Sequence, residues 1–198
     1  MIREFRESDT GPLSQMILTT WEMDSYGEGL GIPTSEAYLQ SCIRSSRFIR
    51  VLEDQGAVKG CVMARVGRNR IGLGAIADSV RFSRRIRGMD GIDGFFSDIR
   101  ILNKTDKELK RECGIDFDGE LVLLIVSEDS RGKGFGRMLF DSAIGYFREM
   151  DAHDILIFTD DDCGFGFYDS LGARRLAFRD VRLVNEDLRM MAYHYIVK

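Results

Sequence analysis

Hydrophobic and polar positions follow two different periods along the chain, and together they predict alternating strands and helices. Positions 121–126 form an unbroken apolar run bounded by polar residues, which suits a strand buried on both faces. A second apolar run at 154–159 predicts a strand parallel to the first. Between them, apolar residues recur at helical spacing from 134 to 146, so a helix is predicted directly after the first run.

Weaker patterns extend this arrangement towards both ends of the chain. Positions 1–6 predict a first strand, and two amphipathic helical segments follow it. Positions 47–52 and 58–66 then predict two strands joined by a tight turn. Near the other end, 173–184 and 189–197 predict an antiparallel pair. The elements indicate an α/β domain with a mixed, mostly antiparallel sheet.

The segment 67–119 is longer than a connection between neighbouring strands requires. Two helical pieces are predicted within it, at 75–86 and 105–112, and Phe95, Phe96 and Ile99 are predicted to anchor the segment to the main body. The first piece carries clustered arginines. They fit a solvated helix face balanced by nearby acidic residues, and the alternative is a basic lid over an anion.

Composition narrows the class of protein. With 198 residues, 44% of them hydrophobic, the chain has room for one full core and is predicted to be a single domain, 1–198. A net charge of −4 argues against broad binding to nucleic acid. No apolar run reaches the roughly 20 residues of a membrane span, and no signal peptide is recognisable. Four scattered cysteines and two histidines show no metal-ligand spacing, so no metal site and a cytoplasmic location are expected.

The turn between the first buried strand and its helix has the composition of an anion site. Glycines at 132, 134 and 136 allow oxygen atoms to approach the backbone, and Arg131, Lys133 and Arg137 add positive charge. The first N–H groups of the following helix have no partner inside it, and they point outward. An ordinary strand-to-helix turn with several glycines is the alternative interpretation.

Two common phosphate-binding patterns do not fit this turn. A P-loop needs Ser or Thr directly after its Gly-Lys pair, where this chain has Gly134. The dinucleotide fingerprint needs a glycine where this chain has Arg137. The pattern present is R/Q-x-x-G-x-G/A after a buried strand, from Arg131 to Gly136, and it resembles the acyl-CoA pyrophosphate loop of the GCN5-related N-acetyltransferases (GNAT family).

The resemblance implies a GNAT-like sheet with one splayed parallel strand pair, flanked by helices, and an insertion at about 67–119 between the third and fourth strands. It also implies acetyl-CoA as co-substrate. Backbone groups of Ile125 and Val126 would bind the pantetheine arm, and a bulge in their strand would open a gap for the thioester. The residues implied to hold the pyrophosphate are Arg131, Gly132, Lys133, Gly134, Phe135, Gly136 and Arg137.

A second motif, F-Y-D-S-L-G at 167–172, resembles the F-Y-x-x-x-G helix of the same family. There the tyrosine often protonates the departing thiolate, and Tyr168 falls on that position. A phenol can do this without being ionised at neutral pH. The alternative role for Tyr168 is a packed aromatic. The family often has Asn shortly before this motif, whereas this chain has Asp at 160, 161 and 162, which puts the contacts of that region in doubt.

Glu120 lies eleven residues before Arg131, and a glutamate at that offset is the base in the histone-acetyltransferase branch of the family. An amine is protonated at neutral pH and needs a base before it can attack. A charged residue also often opens a strand simply because the strand emerges from solvent, so both interpretations of Glu120 stay open.

Together the motifs imply an N-acetyltransferase that moves an acetyl group from acetyl-CoA to a primary amine by direct attack. A non-catalytic module that binds acyl-CoA or a protein partner on the same fold is the alternative. The acceptor, a small molecule or a peptide amine, cannot be deduced from the sequence. Neither can the length of the acyl donor, and a homodimer is compatible with the sequence.

Overall fold

The computed structural model describes residues 1–67, 88–164 and 166–198. Within these residues one seven-stranded sheet forms the centre, with the strand order β1-β2-β3-β4-β5-β7-β6. Every neighbouring pair is antiparallel except β4 and β5, which run parallel. The strands are β1 Ile2–Glu4, β2 Phe48–Asp54, β3 Ala57–Val66, β4 Gly119–Val126, β5 Asp154–Asp160, β6 Arg174–Arg182 and β7 Asp187–Ile196.

Five α-helices are described around this sheet. They are α1 Thr10–Thr20, α2 Gly31–Ser45, α3 Ile92–Cys113, α4 Phe135–Glu149 and α5 Gly166–Ser170. Among the described residues no helix is both long and apolar enough to cross a membrane. The predicted α/β class, the antiparallel character of the sheet and its single parallel pair are all confirmed.

The two faces of the sheet are covered by different helices. On one face, α4 packs its buried residues Leu139, Phe140 and Phe147 against inward residues of the central strands. On the opposite face, α1 and α2 cover β3 and β4, and α3 covers β5, β7 and β6. The boundary between α2 and α3 on this second face therefore lies above the junction of β4 and β5.

The described part of the 67–119 segment forms one helix of 22 residues, α3. The helical prediction for 105–112 is confirmed, but the helix begins at Ile92, because Ile92, Phe95 and Leu109 together give it a continuous buried face. Phe95 packs edge-on against Tyr26, and Phe96 and Ile99 join the same cluster, so the predicted anchoring is confirmed. The prediction for 75–86 and its arginines lies outside the described residues.

Two close contacts fix α3 to the loops around it. Asp98, only 1% exposed, accepts hydrogen bonds from the Tyr26 hydroxyl at 3.0 Å and from the Val184 N–H at 3.1 Å. It therefore ties the α1–α2 loop and the β6–β7 turn to the helix. Gly91 precedes α3 with a φ of 85°, and a Cβ there would lie 1.8 Å from the Tyr26 carbonyl oxygen. Only glycine permits this approach.

Candidate active site

The predicted anion turn connects β4 to α4 as expected from the sequence. Residues 128–130 form a short 3-10 helix, and Gly132 and Gly134 adopt φ angles of 76° and 82°. A Cβ at either glycine would meet nothing within 4 Å, so the turn presents open backbone. Gly136 differs, because its Cβ would lie in ordinary contact with the Phe167 ring at 3.5 Å.

Helix α4 begins directly after this turn without a side-chain cap. Gly134 occupies the N-cap position, and among the described residues no side chain caps the first turn. The N–H groups of Phe135, Gly136 and Arg137 therefore lack the partners that a longer helix would provide. Arg131, Lys133 and Arg137 are exposed beside them, and Arg137 also pairs with Asp141 at 3.0 Å. The arrangement can bind an anion through backbone N–H groups and cations together.

The parallel strands β4 and β5 pair over only three residues. Their register runs from Gly119 opposite Ile155 to Leu121 opposite Ile157 and then stops. At the same point the β3–β4 register shifts by one residue, because Met63 pairs with Leu123 whereas Ala64 pairs with Leu121. This is a β-bulge at Val122, and it bends β4 away from β5. We call the opening beyond the last paired residues the strand gap.

The hydrogen-bond register shows which backbone groups of β4 face the strand gap. Ser127 donates its N–H to the Lys59 carbonyl, so this pair is hydrogen-bonded. Hydrogen-bonded and non-bonded pairs alternate in an antiparallel ladder. Ile125 therefore bonds to β3, while the backbone groups of Leu124 and Val126 point into the gap. Of the two residues predicted for the pantetheine arm, Val126 faces the gap, whereas the backbone groups of Ile125 are paired with β3 and those of Leu124 face the gap.

Glu120 lies on the face covered by α1, α2 and α3. Arg65 donates a 2.5 Å hydrogen bond to its Oε2, and the two side chains are only 18% and 16% exposed. The register places Glu120 beside Leu156 of β5, on the same face. The carboxylate therefore has a fixed cationic partner near the paired end of the two parallel strands.

Tyr168 lies on α5, near the end of β5 and on the opposite side from Glu120. It is 8% exposed and packs against Phe167 and Tyr193, with ring centroids 5.3 and 5.9 Å away. Burial, followed by the nearby charges of Cys163 and Asp160, raises the pKa of the Tyr168 hydroxyl. The phenol is therefore held in its protonated form, which suits a proton donor.

Cys163 lies near Tyr168 and Asp160, but its thiol is not activated as a nucleophile. Burial raises the pKa of its thiol, and the charge of Asp160 and a hydrogen bond to it raise that pKa further. Trp21 contributes a hydrogen bond that opposes this effect. A thiol nucleophile needs a lowered pKa, so Cys163 is unsuited to forming an acyl-enzyme.

The sequence patterns missed a polar seam where α2, α3 and β4 meet, which consists of Tyr38, Cys42, Asp106 and Glu120. Burial, followed by the charge of Glu120, raises the pKa of the Asp106 carboxyl to about 7. The Tyr38 hydroxyl is near enough to Asp106 for that charge to contribute to a raised pKa, after burial and the neighbouring Cys42 and Cys163. The only signal in the sequence was that Asp106 lies three residues before the apolar Leu109, a spacing that puts both on one side of a helix.

An acidic set of side chains lies near the seam, where the loops of α1, β5 and β6 meet. Burial, then a hydrogen bond that protonated Glu186 donates to Asp162, and then the charges of Asp162, Asp160 and Glu22 raise the pKa of Glu186 to about 7. Asn185 of the β6–β7 turn donates to the Ser25 carbonyl at 3.2 Å and holds two of these loops together. Within the described part of the chain, no group of three or more His, Cys, Asp or Glu side chains is arranged to hold a metal ion.

Comparison with known proteins gives a result for structure only. No family model and no curated protein sequence matches the chain. Among solved structures, a ribosomal-protein-alanine N-acetyltransferase from Brucella melitensis superposes with a TM-score of 0.59 and 16% identity, covering 99% of each chain. An aminoglycoside 6′-N-acetyltransferase complexed with coenzyme A gives a TM-score of 0.61 and 14% identity, covering 100% of this chain and 97% of the other.

A third match is the Salmonella typhimurium protein yncA, whose structure contains its cofactor acetyl-CoA. It gives a TM-score of 0.58 and 14% identity, and covers 100% of this chain and 94% of the other. The matched lengths include the whole sheet, its splayed parallel pair and the turn before α4. The chain has the fold of the GCN5-related N-acetyltransferases.

Proposed function

We propose that the protein is an acetyl-CoA-dependent N-acetyltransferase that acetylates a primary amine by direct attack on the thioester. The observation that carries the proposal is the geometry of β4. An open, uncapped anion turn follows its last residue, and a strand gap opens along its second half. Acetyl-CoA has an anionic pyrophosphate joined to an extended pantetheine arm, and these two features suit its two parts.

The chain's own residues would hold acetyl-CoA in two ways. The N–H groups of 135–137 and the side chains of Arg131 and Lys133 would bind the pyrophosphate. The gap-facing backbone groups of Leu124 and Val126 would pair with the pantetheine amides as an added strand does. A backbone N–H in the gap would also polarise the thioester carbonyl.

Tyr168 is proposed to protonate the thiolate as it leaves. Its raised pKa keeps the phenol protonated, and its helix follows β5, one of the two strands that border the strand gap. The raised pKa of the Cys163 thiol argues for direct attack, because a protonated thiol is a poor nucleophile. The base is proposed to be a carboxylate of the opposite face, where Glu120 lies beside Asp106.

The non-catalytic alternative would use the same turn and gap but would not need a protonated phenol or a nearby carboxylate. Both are present here, which favours the enzyme. The structural matches include a ribosomal-protein-alanine N-acetyltransferase and an aminoglycoside 6′-N-acetyltransferase. An alanyl peptide and an aminoglycoside are therefore the first acceptors to try.

The proposal is tested by incubating the protein with acetyl-CoA and each of these amines and following the release of free thiol. On an accepted amine, Tyr168→Phe should lower kcat by about 10²–10⁴-fold, the usual contribution of general acid catalysis, with little change in acetyl-CoA affinity. Tyr195→Phe is the matched control, since Tyr195 packs against the same core through Phe140. Binding of acetyl-CoA without thiol release on any amine would instead support the non-catalytic module.

A further inference from the structure

Asp106 carries a buried oxygen that the fold leaves unused. Its Oδ1 is buried and hydrogen-bonds to no group in the described part of the chain. The side chain belongs to α3 and is partly exposed, and it lies near Glu120 of β4 and Tyr38 of α2, in the seam where the three elements meet. A buried carboxylate oxygen without a partner is costly for a protein to retain. We therefore expect a ligand to hydrogen-bond to the Oδ1 of Asp106.

The neighbouring carboxylate, Glu120, is in a different state. Its Oε2 accepts a 2.5 Å hydrogen bond from Arg65, so a cation within the protein already neutralises it. Asp106 has the opposite surroundings, because it has no cation bonded to it in the described residues and it faces the charge of Glu120.

We infer that Asp106, not Glu120, is the catalytic group that takes the proton from the acceptor amine, and that Glu120 with Arg65 acts as a positioning pair beside it. The inference rests on the proposed acetyl transfer. It identifies the base as Asp106, a residue that belongs to neither sequence motif. It also gives a role to the inserted helix, which is the element that carries Asp106 into the seam.

The proton balance of the reaction follows from these assignments. The ammonium form of the acceptor gives one proton to the Asp106 carboxylate, which later releases it to solvent. The free amine nitrogen forms a bond to the thioester carbonyl carbon, and the carbon–sulfur bond breaks. The sulfur takes the phenolic proton of Tyr168, and the second proton leaving the nitrogen restores the phenol.

A carboxyl with a pKa near 7 is well matched to taking a proton from the acceptor amine at neutral pH. At neutral pH about half of the molecules would have the charged form, and its affinity for a proton is far higher than that of an ordinary carboxylate. The titratable groups around it come from four elements. Glu120 with Arg65 belongs to β4 and β3, and Tyr38 with Cys42 belongs to α2. Beyond Tyr38 lie Asp160 at the end of β5 and Cys163 just after it.

The first test needs no substrate. The protein is labelled with ¹³C at the aspartate carboxyls and titrated by NMR from pH 4 to 9. One aspartate should titrate near pH 7, and its signal should disappear in Asp106→Asn and remain in Asp160→Asn, the control for a second aspartate whose pKa burial raises. The inference is overturned if no aspartate titrates above pH 6, or if the high titration belongs to another residue.

The second test is the pH dependence of kcat/KM on whichever amine of the panel the wild type acetylates. Asp106→Asn should lower kcat/KM at pH 7 by about 10²-fold or more, with the loss shrinking as the free amine becomes abundant at high pH. In the wild type, kcat/KM should rise with pH as Asp106 loses its proton, and we call this part of the profile the acid limb. Glu120→Gln should move the acid limb to lower pH, because it removes the negative charge that raises the pKa of Asp106.

The outcomes separate the two proposals. A wild type that acetylates no amine defeats the proposed function and this inference with it. An active wild type with Asp106→Asn unchanged in its pH profile defeats the inference alone. Loss of the acid limb in Glu120→Gln, with the limb kept in Asp106→Asn, would return the base to Glu120.

Discussion

Replacing Asp106 by Asn should change how the stability of the protein depends on pH. In the folded chain, burial and then the Glu120 charge raise the pKa of this carboxyl from 3.8 to about 7. In the unfolded chain it titrates near its ordinary value. Between about pH 4 and pH 7 the folded protein therefore binds a proton that the unfolded chain has released, and linkage requires the free energy of unfolding to fall as pH rises through this window.

The size of the effect follows from the same pKa difference. Each difference of one in pKa corresponds to about 1.36 kcal/mol, so the rise from 3.8 to about 7 bounds the loss at about 4 kcal/mol. The side chain is partly exposed, and solvent lowers the figure to about 1–3 kcal/mol. Asn does not titrate. Relative to wild type, the unfolding free energy of Asp106→Asn should therefore rise by about 1–3 kcal/mol between pH 4 and pH 8.

Urea denaturation at several pH values measures this difference directly. Asp116→Asn is the matched control, because Asp116 is exposed shortly after the same helix, and its difference from wild type should change much less with pH. If the Asp106→Asn difference stays constant from pH 4 to pH 8, the carboxyl is not perturbed by its surroundings. The assignment of Asp106 as a proton acceptor would then lose its physical basis.

Two further predictions concern the attachment of α3. Asp98→Ala leaves the buried donors of Tyr26 and Val184 unpaired and should cost about 2–4 kcal/mol in urea denaturation, whereas Tyr26→Phe removes one bond and should cost about 1 kcal/mol. Gly91→Ala places a Cβ 1.8 Å from the Tyr26 carbonyl oxygen and should destabilise the protein by more than about 2 kcal/mol. Gly114→Ala should cost only about 1 kcal/mol.

Gly114 is the control for Gly91 because it ends the helix that Gly91 precedes. Its φ of 63° is also in the left-handed region, but a Cβ there would meet nothing within 4 Å. The difference between the two variants therefore isolates the clash from the backbone strain. Equal losses would show that α3 does not depend on this approach to Tyr26, and equal losses for Asp98→Ala and Tyr26→Phe would show that the Val184 bond adds nothing.

The parts of the site that could be predicted from sequence are those fixed by local rules. Glycines in a polar turn between a buried strand and an amphipathic helix carry their structural meaning in a few consecutive residues, and the turn at 131–137 was found in that way. The F-Y-x-x-x-G helix was found for the same reason. Of Ile125 and Val126, only Val126 faces the gap, because the pairing of β4 with β3 decides which backbone groups are left free, and no local pattern reveals that pairing.

Asp106 was missed for a different reason. It lies within a segment longer than the family resemblance requires, where no motif applies, and only tertiary packing brings α3 beside Glu120. The packing also changes how the insertion can be tested. Replacing 67–119 by a short turn would remove Phe95 and Leu109 from two separate cores, so point substitutions on α3 are better probes than deletion.

Calorimetric titration with acetyl-CoA tests the central assignment most directly, because it requires no acceptor. The wild type should bind one equivalent, and Gly134→Asp, which places a negative charge in the open turn, should weaken binding at least about tenfold, or about 1.4 kcal/mol. Gly134→Ala has the same strain at a φ of 82° without the charge and should retain most of the affinity. Equal affinity in the wild type and Gly134→Asp, or no binding by the wild type, would contradict the assignment of this turn to the pyrophosphate.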